Sequence, residues 1–326
     1  VLALQDEIAA KVVNSLQLLL STESKNALSH NVTANPAAYD FYLRGRAFLR
    51  MPQDEPNLEF ALELFDKAVA ADPVFADAYA GQCDSYLGLY SINLDDANFK
   101  LAESACHRAL TLDRRAAPVY IALGNLYRNS GQYEQAIAEF KAALAFKSNS
   151  SDAYVGLAAT YKDQNQPALA EQHYKTAIQL QPNYWHALMG MGNFLFEHGR
   201  VDEAVGYYQR ISDLMPQSEL AFNNLGAAYF MTGDFEQATA AWQRSLKLNP
   251  SATAYSNVAT TLFFRNRFDE ALPLYHKALE HAPDAYELWG NLADTYRQSS
   301  TGIEMAFPMY ANAIALAQKR LDINPL

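Results

Sequence analysis

The chain has 326 residues, of which 50% are hydrophobic and 19% are charged, and this composition suffices for a continuous core. Its formal net charge is −11, which argues against a nucleic-acid surface because phosphate binding depends on clustered Lys and Arg. No apolar run approaches the roughly 18–20 residues that cross a bilayer, so the sequence predicts no membrane insertion.

The first segment of the chain predicts an amphipathic helix over residues 2–20. Leu4, Ile8, Val12 and Leu16 recur every four residues and therefore share one helical face. Residues 21–36 are rich in Ser, Thr and Asn, which is typical of a connector. We therefore assign residues 1–37 to an N-terminal helix and a polar connector.

From Ala38 onward, a spacing recurs about every 34 residues. A small residue is followed 12 positions later by Ala, then by an aromatic, another small residue and often a proline. Five successive hairpins follow it: Gly124, Ala136, Phe140, Ala143; Ala158, Ala170, Tyr174, Ala177; Gly192, Ala204, Tyr208, Ile211; Gly226, Ala238, Trp242, Ser245; and Ala259, Ala271, Tyr275, Ala278. This spacing predicts two closely packed helices in each period and therefore a stacked repeat array. The function of such an array lies in an extended surface.

We expect about eight such hairpins in one all-α body over residues 38–326. Their predicted limits are about 38–75, 76–116, 117–150, 151–184, 185–218, 219–251, 252–285 and 286–318. Longer turns are predicted at Met51–Pro56 in the first and at Ser91–Asn98 in the second.

The turn chemistry supports this assignment independently. A tight turn between two helices needs one residue with positive φ, which Gly and Asn tolerate best. That position holds Gly131, Asn165, Gly199, Gly233 and Asn266 in hairpins three to seven.

These motifs resemble the tetratricopeptide repeat family over residues 38–318. The resemblance implies a right-handed superhelix, or α-solenoid, whose first helices line a concave groove. A second resemblance covers residues 3–46, which are similar to the junction before such repeats in bacterial multidomain regulators. In those proteins a cyclase, a protein kinase or a winged-helix module with a TolB-like segment stands upstream. With a start at Val1 and an end after Asn324 and Pro325, we expect the chain to be part of a longer protein.

If the family geometry holds, the C-terminal half of the groove is mainly apolar and uncharged. Its predicted lining residues are His186, Met189, Asn193, Phe196, Asn223, Phe230, Met231, Phe263 and Phe264. Phe196, Phe230 and Phe263 share one repeat position and predict an aromatic stripe. Asn224, Asn257 and Asn291 share another, and a ladder of amides can hold an extended peptide backbone. The alternative is that the Asn residues bond between repeats and the Phe residues are partly buried.

The N-terminal half of the groove is charged. Its predicted lining residues are Tyr39, Tyr42, Arg46, Arg50, Asp84, Asn125, Arg128, Lys162 and Asp163. Arg46, Arg50 and Arg128 could accept an acidic peptide or a terminal carboxylate. The alternative is that they are solvated cations paired with Asp84 and nearby carboxylates.

The sequence contains no recognisable catalytic motif, so we predict neither an enzyme nor a cofactor or metal site in this chain. Cys83 and Cys106 are expected to be small buried thiols, with a disulfide as the alternative if the region is exported. The predicted function is a protein–protein interaction scaffold that docks a protein or peptide for a bacterial signalling protein. The alternative is a self-association arm that forms a homodimer. We expect a cytoplasmic location, with a periplasmic arm of a membrane-anchored regulator as the alternative.

Overall fold

A computed structural model describes residues 33–51, 54–300 and 302–323 of the chain. All regular secondary structure in these residues is helical. The helices are α1 Pro36–Leu49, α2 Glu55–Ala71, α3 Ala76–Asn93, α4 Asp96–Leu112, α5 Ala117–Asn129, α6 Tyr133–Phe146, α7 Ser151–Asp163, α8 Pro167–Leu180, α9 Trp185–Glu197, α10 Val201–Leu214, α11 Glu219–Met231, α12 Phe235–Leu248, α13 Ala252–Phe264, α14 Phe268–His281, α15 Tyr286–Gln298 and α16 Ile303–Ile323. The predicted helix at residues 2–20 and the junction before residue 33 lie outside the described residues.

Within the described residues, consecutive helices pair into eight hairpins. The helices group into two compact units. Unit 1 ends at Pro182 and contains α1 to α8, whereas unit 2 begins at Asn183 and contains α9 to α16. Within each unit, the second helix of one hairpin packs against the first helix of the next. The fold is therefore an all-α solenoid of helical hairpins.

The predicted turn residues all adopt the left-handed conformation. The φ angles are 74° at Gly131, 56° at Asn165, 74° at Gly199, 83° at Gly233 and 57° at Asn266. These positions confirm that backbone geometry selects Gly or Asn between the two helices of hairpins three to seven.

The second hairpin departs from its predicted turn. The loop expected at Ser91–Asn98 is largely helical, because α3 continues to Asn93 and α4 begins at Asp96. Leu94 takes the left-handed conformation there, with φ 54°. The additional residues of this repeat lengthen both helices, so the prediction of a long loop was wrong.

Aromatic side chains of the second helices fill the gaps between hairpins. Phe140 on α6 is fully buried. A Cβ atom at Gly124 of the same hairpin would lie 2.6 Å from its ring, and one at Gly156 of the next hairpin would lie 2.2 Å from it. One ring thus occupies space that two glycines leave open, and this contact locks neighbouring hairpins together.

In the second hairpin a disulfide stands where the others have such a ring. Cys83 on α3 and Cys106 on α4 are joined, both are buried, and their Cα atoms are 5.3 Å apart. That separation suits a disulfide. The expectation of two free thiols was therefore wrong, because the two helices of this hairpin bring the sulfurs within bonding distance.

The glycine contacts predict a matched pair of stability effects in unit 2. At Gly226, a Cβ atom would lie 2.5 Å from the Trp242 indole, whereas at Gly290, inside α15, it would meet no atom within 4 Å. We expect Gly226→Ala to lower the free energy of unfolding by about 1–3 kcal/mol through overpacking. Gly290→Ala should be neutral or raise it by up to about 1 kcal/mol through helix propensity. Urea unfolding followed by circular dichroism measures both, and equal effects would contradict the packing argument.

Candidate ligand-binding surfaces

The structure brings three of the predicted groove residues of unit 2 into one pocket. Asn193 and Phe196 on α9 and Asn224 on α11 line a pocket of about 160 Å³, together with Glu197, Tyr208 and Ala227. This volume is several times the roughly 30 Å³ that one water occupies in the liquid. The pocket is therefore large enough for an aliphatic side chain of a ligand.

The floor of this pocket is fixed by a hydrogen bond within the fifth hairpin. The Tyr208 hydroxyl on α10 donates to Asn193 Oδ1 over 2.8 Å. Burial raises the pKa of Tyr208, so the phenol stays protonated and continues to donate. The seventh hairpin repeats the arrangement, where the Tyr275 and Thr260 hydroxyls are 2.9 Å apart. Asn193 thus positions the second helix as well as lining the pocket.

The predicted ladder of amides is partly engaged within unit 2. Asn224 Nδ2 donates to Met189 Sδ over 3.2 Å, and Asn257 Nδ2 donates to Asn223 Oδ1 over 2.9 Å. Both are contacts between repeats, which was the alternative prediction for these Asn residues. Asn291 differs, because it is exposed and makes no side-chain hydrogen bond within the described residues.

The predicted aromatic stripe divides into two parts. The Phe230 and Phe264 ring centroids are 5.1 Å apart, and those of Phe263 and Phe264 are 5.8 Å apart, so these three rings form one cluster. Phe196 instead lines the pocket beside Asn193. All three Phe residues of the predicted stripe are half-buried, as the alternative interpretation held.

The most exposed apolar side chains of this surface come one position later in the repeat. Met231 is 61% exposed and Phe264 is 52% exposed. We name the pocket together with Phe230, Met231, Phe263 and Phe264 the aromatic surface of unit 2. Sequence periodicity placed these residues in the groove, but only the structure shows which of them solvent reaches.

In unit 1, the predicted cation Arg46 forms an ion pair with an aspartate far along the sequence. Arg46 Nη2 on α1 lies 3.0 Å from Asp152 Oδ2 on α7, which joins the first and fourth hairpins. Arg46, Arg50 and Asp152 line a cavity of about 390 Å³ together with Lys147. The cavity therefore carries both signs of charge.

Two further charged side chains of the predicted lining in unit 1, Arg128 and Asp84, also have partners. Arg128 Nε lies 2.8 Å from Asp163 Oδ2, while Asp84 accepts a 2.9 Å hydrogen bond from Asn125 Nδ2. Burial raises the pKa of Asp84 to about 6, although the charge of Arg46 and the Asn125 hydrogen bond both lower it. Arg46 and Arg128 thus pair with carboxylates as the alternative held, but with Asp152 and Asp163.

The described residues show no cluster of three or more His, Cys, Asp or Glu side chains that could hold a metal ion. Among the same residues, no helix combines the length and apolar character that crossing a membrane requires.

Comparison with known families identifies the same repeats. A model described as "TPR repeat" matches residues 124–165, and one described as "Tetratricopeptide repeat" matches residues 217–284. A second model with the latter description matches residues 155–219 and 259–322. A search of curated protein sequences finds no match.

Solved structures with the same fold include MamA, Pseudomonas aeruginosa PilF and the Cut9–Hcn1 hetero-tetramer of the APC/C. MamA is 20% identical, with a TM-score of 0.50 over 54% of this chain and 96% of its own. PilF is 23% identical, with a TM-score of 0.53 over 65% of this chain and 95% of its own. The Cut9–Hcn1 structure is 18% identical, with a TM-score of 0.59 over 86% of this chain and 52% of the other. At these identities the likeness concerns the fold alone.

The raised pKa of Asp84 predicts a pH-dependent stability. Between the ordinary carboxyl pKa of 3.8 and about 6, the folded chain binds more protons here than the unfolded chain. Ionisation therefore costs stability as pH rises through this window. We expect Asp84→Asn to match the wild type below about pH 4 and to be more stable by on the order of 1 kcal/mol above pH 7. Urea unfolding at both pH values measures this difference, and a variant less stable at pH 7 would show that the carboxylate is favourable.

Proposed function

Because this chain belongs to the tetratricopeptide repeat family, we propose that it is a non-catalytic scaffold that binds an extended peptide segment on the aromatic surface of unit 2. Proteins built from these repeats are generally scaffolds for other proteins. The observation that carries the proposal is the juxtaposition of an open pocket with exposed apolar side chains on neighbouring first helices.

The chemistry of this surface defines the class of ligand. Phe230, Met231, Phe263 and Phe264 carry no charge, and burying exposed apolar area contributes about 25 cal/mol per Å². The pocket beside Phe196 adds a recess for one side chain. A ligand with at least two apolar side chains along an extended backbone fits this arrangement.

We assign polar recognition to Asn291 on α15, the next first helix of the array. Asn291 is exposed, and its amide can donate to a peptide carbonyl while it accepts from a peptide N–H. Because such bonds engage the backbone, they tolerate variation in the ligand sequence. Specificity then depends on the apolar side chains that enter the pocket and cover Phe264.

We further propose that this scaffold is the docking arm of a larger bacterial signalling protein. The support is the resemblance of residues 3–46 to the junction that precedes such repeats in multidomain regulators. In that arrangement the upstream module performs the chemistry, and the repeats select the partner protein of that module.

The disulfide favours the periplasmic alternative over a cytoplasmic location. Disulfides persist in exported compartments and are rare where thioredoxin and glutathione keep thiols reduced. Cys83 and Cys106 are buried within one hairpin, so the bond serves as a structural crosslink between α3 and α4. We therefore propose an oxidising compartment such as the periplasm for the repeats.

The binding proposal is tested on residues that are exposed rather than packed in the core. Peptides selected from a random library on the wild-type chain should contain spaced apolar residues. We expect the Met231→Glu and Phe264→Glu double variant to weaken their binding at least tenfold, because a buried charge cannot be solvated. Fluorescence polarisation gives the Kd values.

A matched control comes from α10, where Leu214 is also an exposed apolar residue of unit 2. Leu214→Glu adds a negative charge outside the aromatic surface and should leave the Kd unchanged. Equal binding by the wild type and the double variant would refute the assignment of this surface.

The compartment proposal has its own measurement. Protein taken directly from its source cells, denatured without reductant, should show no free thiol at Cys83 or Cys106. Mass spectrometry after alkylation distinguishes free cysteines from disulfide-bonded ones. Two alkylated cysteines in that sample would contradict the periplasmic proposal and indicate a reducing compartment. This result would be independent of the peptide experiment.

A further inference from the structure

The pocket of the aromatic surface is lined mainly by polar side chains. Its apolar lining consists of Phe196 and Ala227. The polar lining residues each carry a side-chain oxygen, and they are Asn193, Glu197, Tyr208 and Asn224. Among the described residues, Glu197 is the one charged side chain of this lining. The polar atoms of the pocket therefore determine which side chain of a ligand it can accept.

Hydrogen bonds within the fold determine which of these atoms face a ligand as acceptors. The Tyr208 hydroxyl donates its proton to Asn193 Oδ1 over 2.8 Å, so its oxygen is left as an acceptor. Asn224 Nδ2 donates to Met189 Sδ over 3.2 Å, while Asn224 Oδ1 accepts no hydrogen bond within the described residues. The ionised carboxylate of Glu197 can only accept. The pocket thus presents acceptors from α9, α10 and α11.

The electrostatic environment of the pocket also favours a positive charge. Glu197 is the last residue of α9, and the C-terminal end of an α-helix carries a negative partial charge. Burial raises the pKa of Tyr208, and the charge of Glu197 raises this pKa further, so the carboxylate acts on the floor of the pocket. The formal net charge of the chain, −11, has the same sign. A cationic group is therefore attracted to this place, and an anionic group is repelled.

We propose that the pocket binds a lysine side chain of the ligand. This inference rests on the proposed function, because it specifies one residue of the peptide that the aromatic surface binds. An ammonium group has three donors and no acceptor, which matches a pocket that presents acceptors. The aliphatic stem of lysine is apolar and can lie against Phe196 and Ala227.

The arrangement of the acceptors favours lysine over arginine. A guanidinium group is planar and is bound best by a carboxylate that accepts two parallel hydrogen bonds. Here the acceptors come from three different helices around a cavity of about 160 Å³, which suits a compact ammonium group on a flexible stem. The ligand is therefore a segment with a lysine in the pocket and with apolar side chains that cover Met231 and Phe264.

The first experiment changes the ligand. Peptides selected from the random library on the wild-type chain should carry a lysine at a constant distance from their apolar residues. In a synthetic copy of one such peptide, norleucine replaces this lysine, which keeps the four-carbon stem and removes the ammonium group. We expect the Kd to rise about tenfold, because the charge-assisted hydrogen bonds are lost. Fluorescence polarisation measures both peptides. Equal binding of the norleucine peptide, or tighter binding of an arginine copy, contradicts the assignment.

The second experiment changes the pocket. Glu197→Gln removes the charge and keeps the size of the side chain. We expect this variant to bind the lysine peptide about fivefold more weakly than the wild type does, because one ion pair is lost. It should bind the norleucine peptide as the wild type does.

Glu280→Gln on α14 is the matched control, because Glu280 is exposed and does not line the pocket. This variant loses the same charge and should bind both peptides as the wild type does. An equal loss of affinity in the two variants would assign the effect to net charge and overturn the proposal. A Glu197→Gln variant that distinguishes the two peptides as strongly as the wild type does would overturn it as well.

These measurements separate the lysine assignment from the proposed function. The peptides may be lost from the Met231→Glu and Phe264→Glu double variant while Glu197→Gln and the norleucine replacement have no effect. That result would support the aromatic surface and refute the lysine assignment. If the wild type selects no peptide, the proposed function and the lysine assignment are both wrong.

Discussion

The structure depends on one packing constraint, which is the close approach of two first helices around an aromatic ring of the second helix between them. Phe140 fills the space left by Gly124 and Gly156, and Phe65 does the same between Gly45 and Gly81. Because a Cβ atom at any of these glycines would overlap the ring, the spacing of the hairpins is set at these points. The first helices are then held side by side, and the residues between them line the candidate surfaces.

Local backbone geometry made the hairpins predictable from the sequence. A positive φ restricts the residue types at a turn, so Asn165 and Gly233 could be assigned without a structure. The disulfide and the long helices α3 and α4 could not be assigned in this way. Whether Cys83 and Cys106 bond depends on the distance between two helices, and a longer gap between repeat positions does not reveal whether its residues extend a loop or a helix.

The candidate site was predictable only in part, for a related reason. Periodicity gives the face on which a residue lies, and three of the residues that it put on one face, Asn193, Phe196 and Asn224, line one pocket. It does not give the partners across that face. Asn257 bonds to Asn223 in the neighbouring repeat, and Phe230 packs beside Trp242, so both are partly engaged by the fold. Nor does periodicity give the exposure of Met231 and Phe264, which depends on how neighbouring repeats pack.

The Arg46–Asp152 ion pair has a consequence for how unit 1 folds. In an array whose hairpins contact only their neighbours, unfolding can begin at a terminal hairpin and spread inward one repeat at a time. The pair joins the first hairpin to the fourth, and both side chains are largely shielded from solvent. Fraying of the first hairpin would therefore also break a largely shielded ion pair with the fourth. This linkage couples the opening of the terminal hairpin to the fourth hairpin, so the two tend to form and melt together.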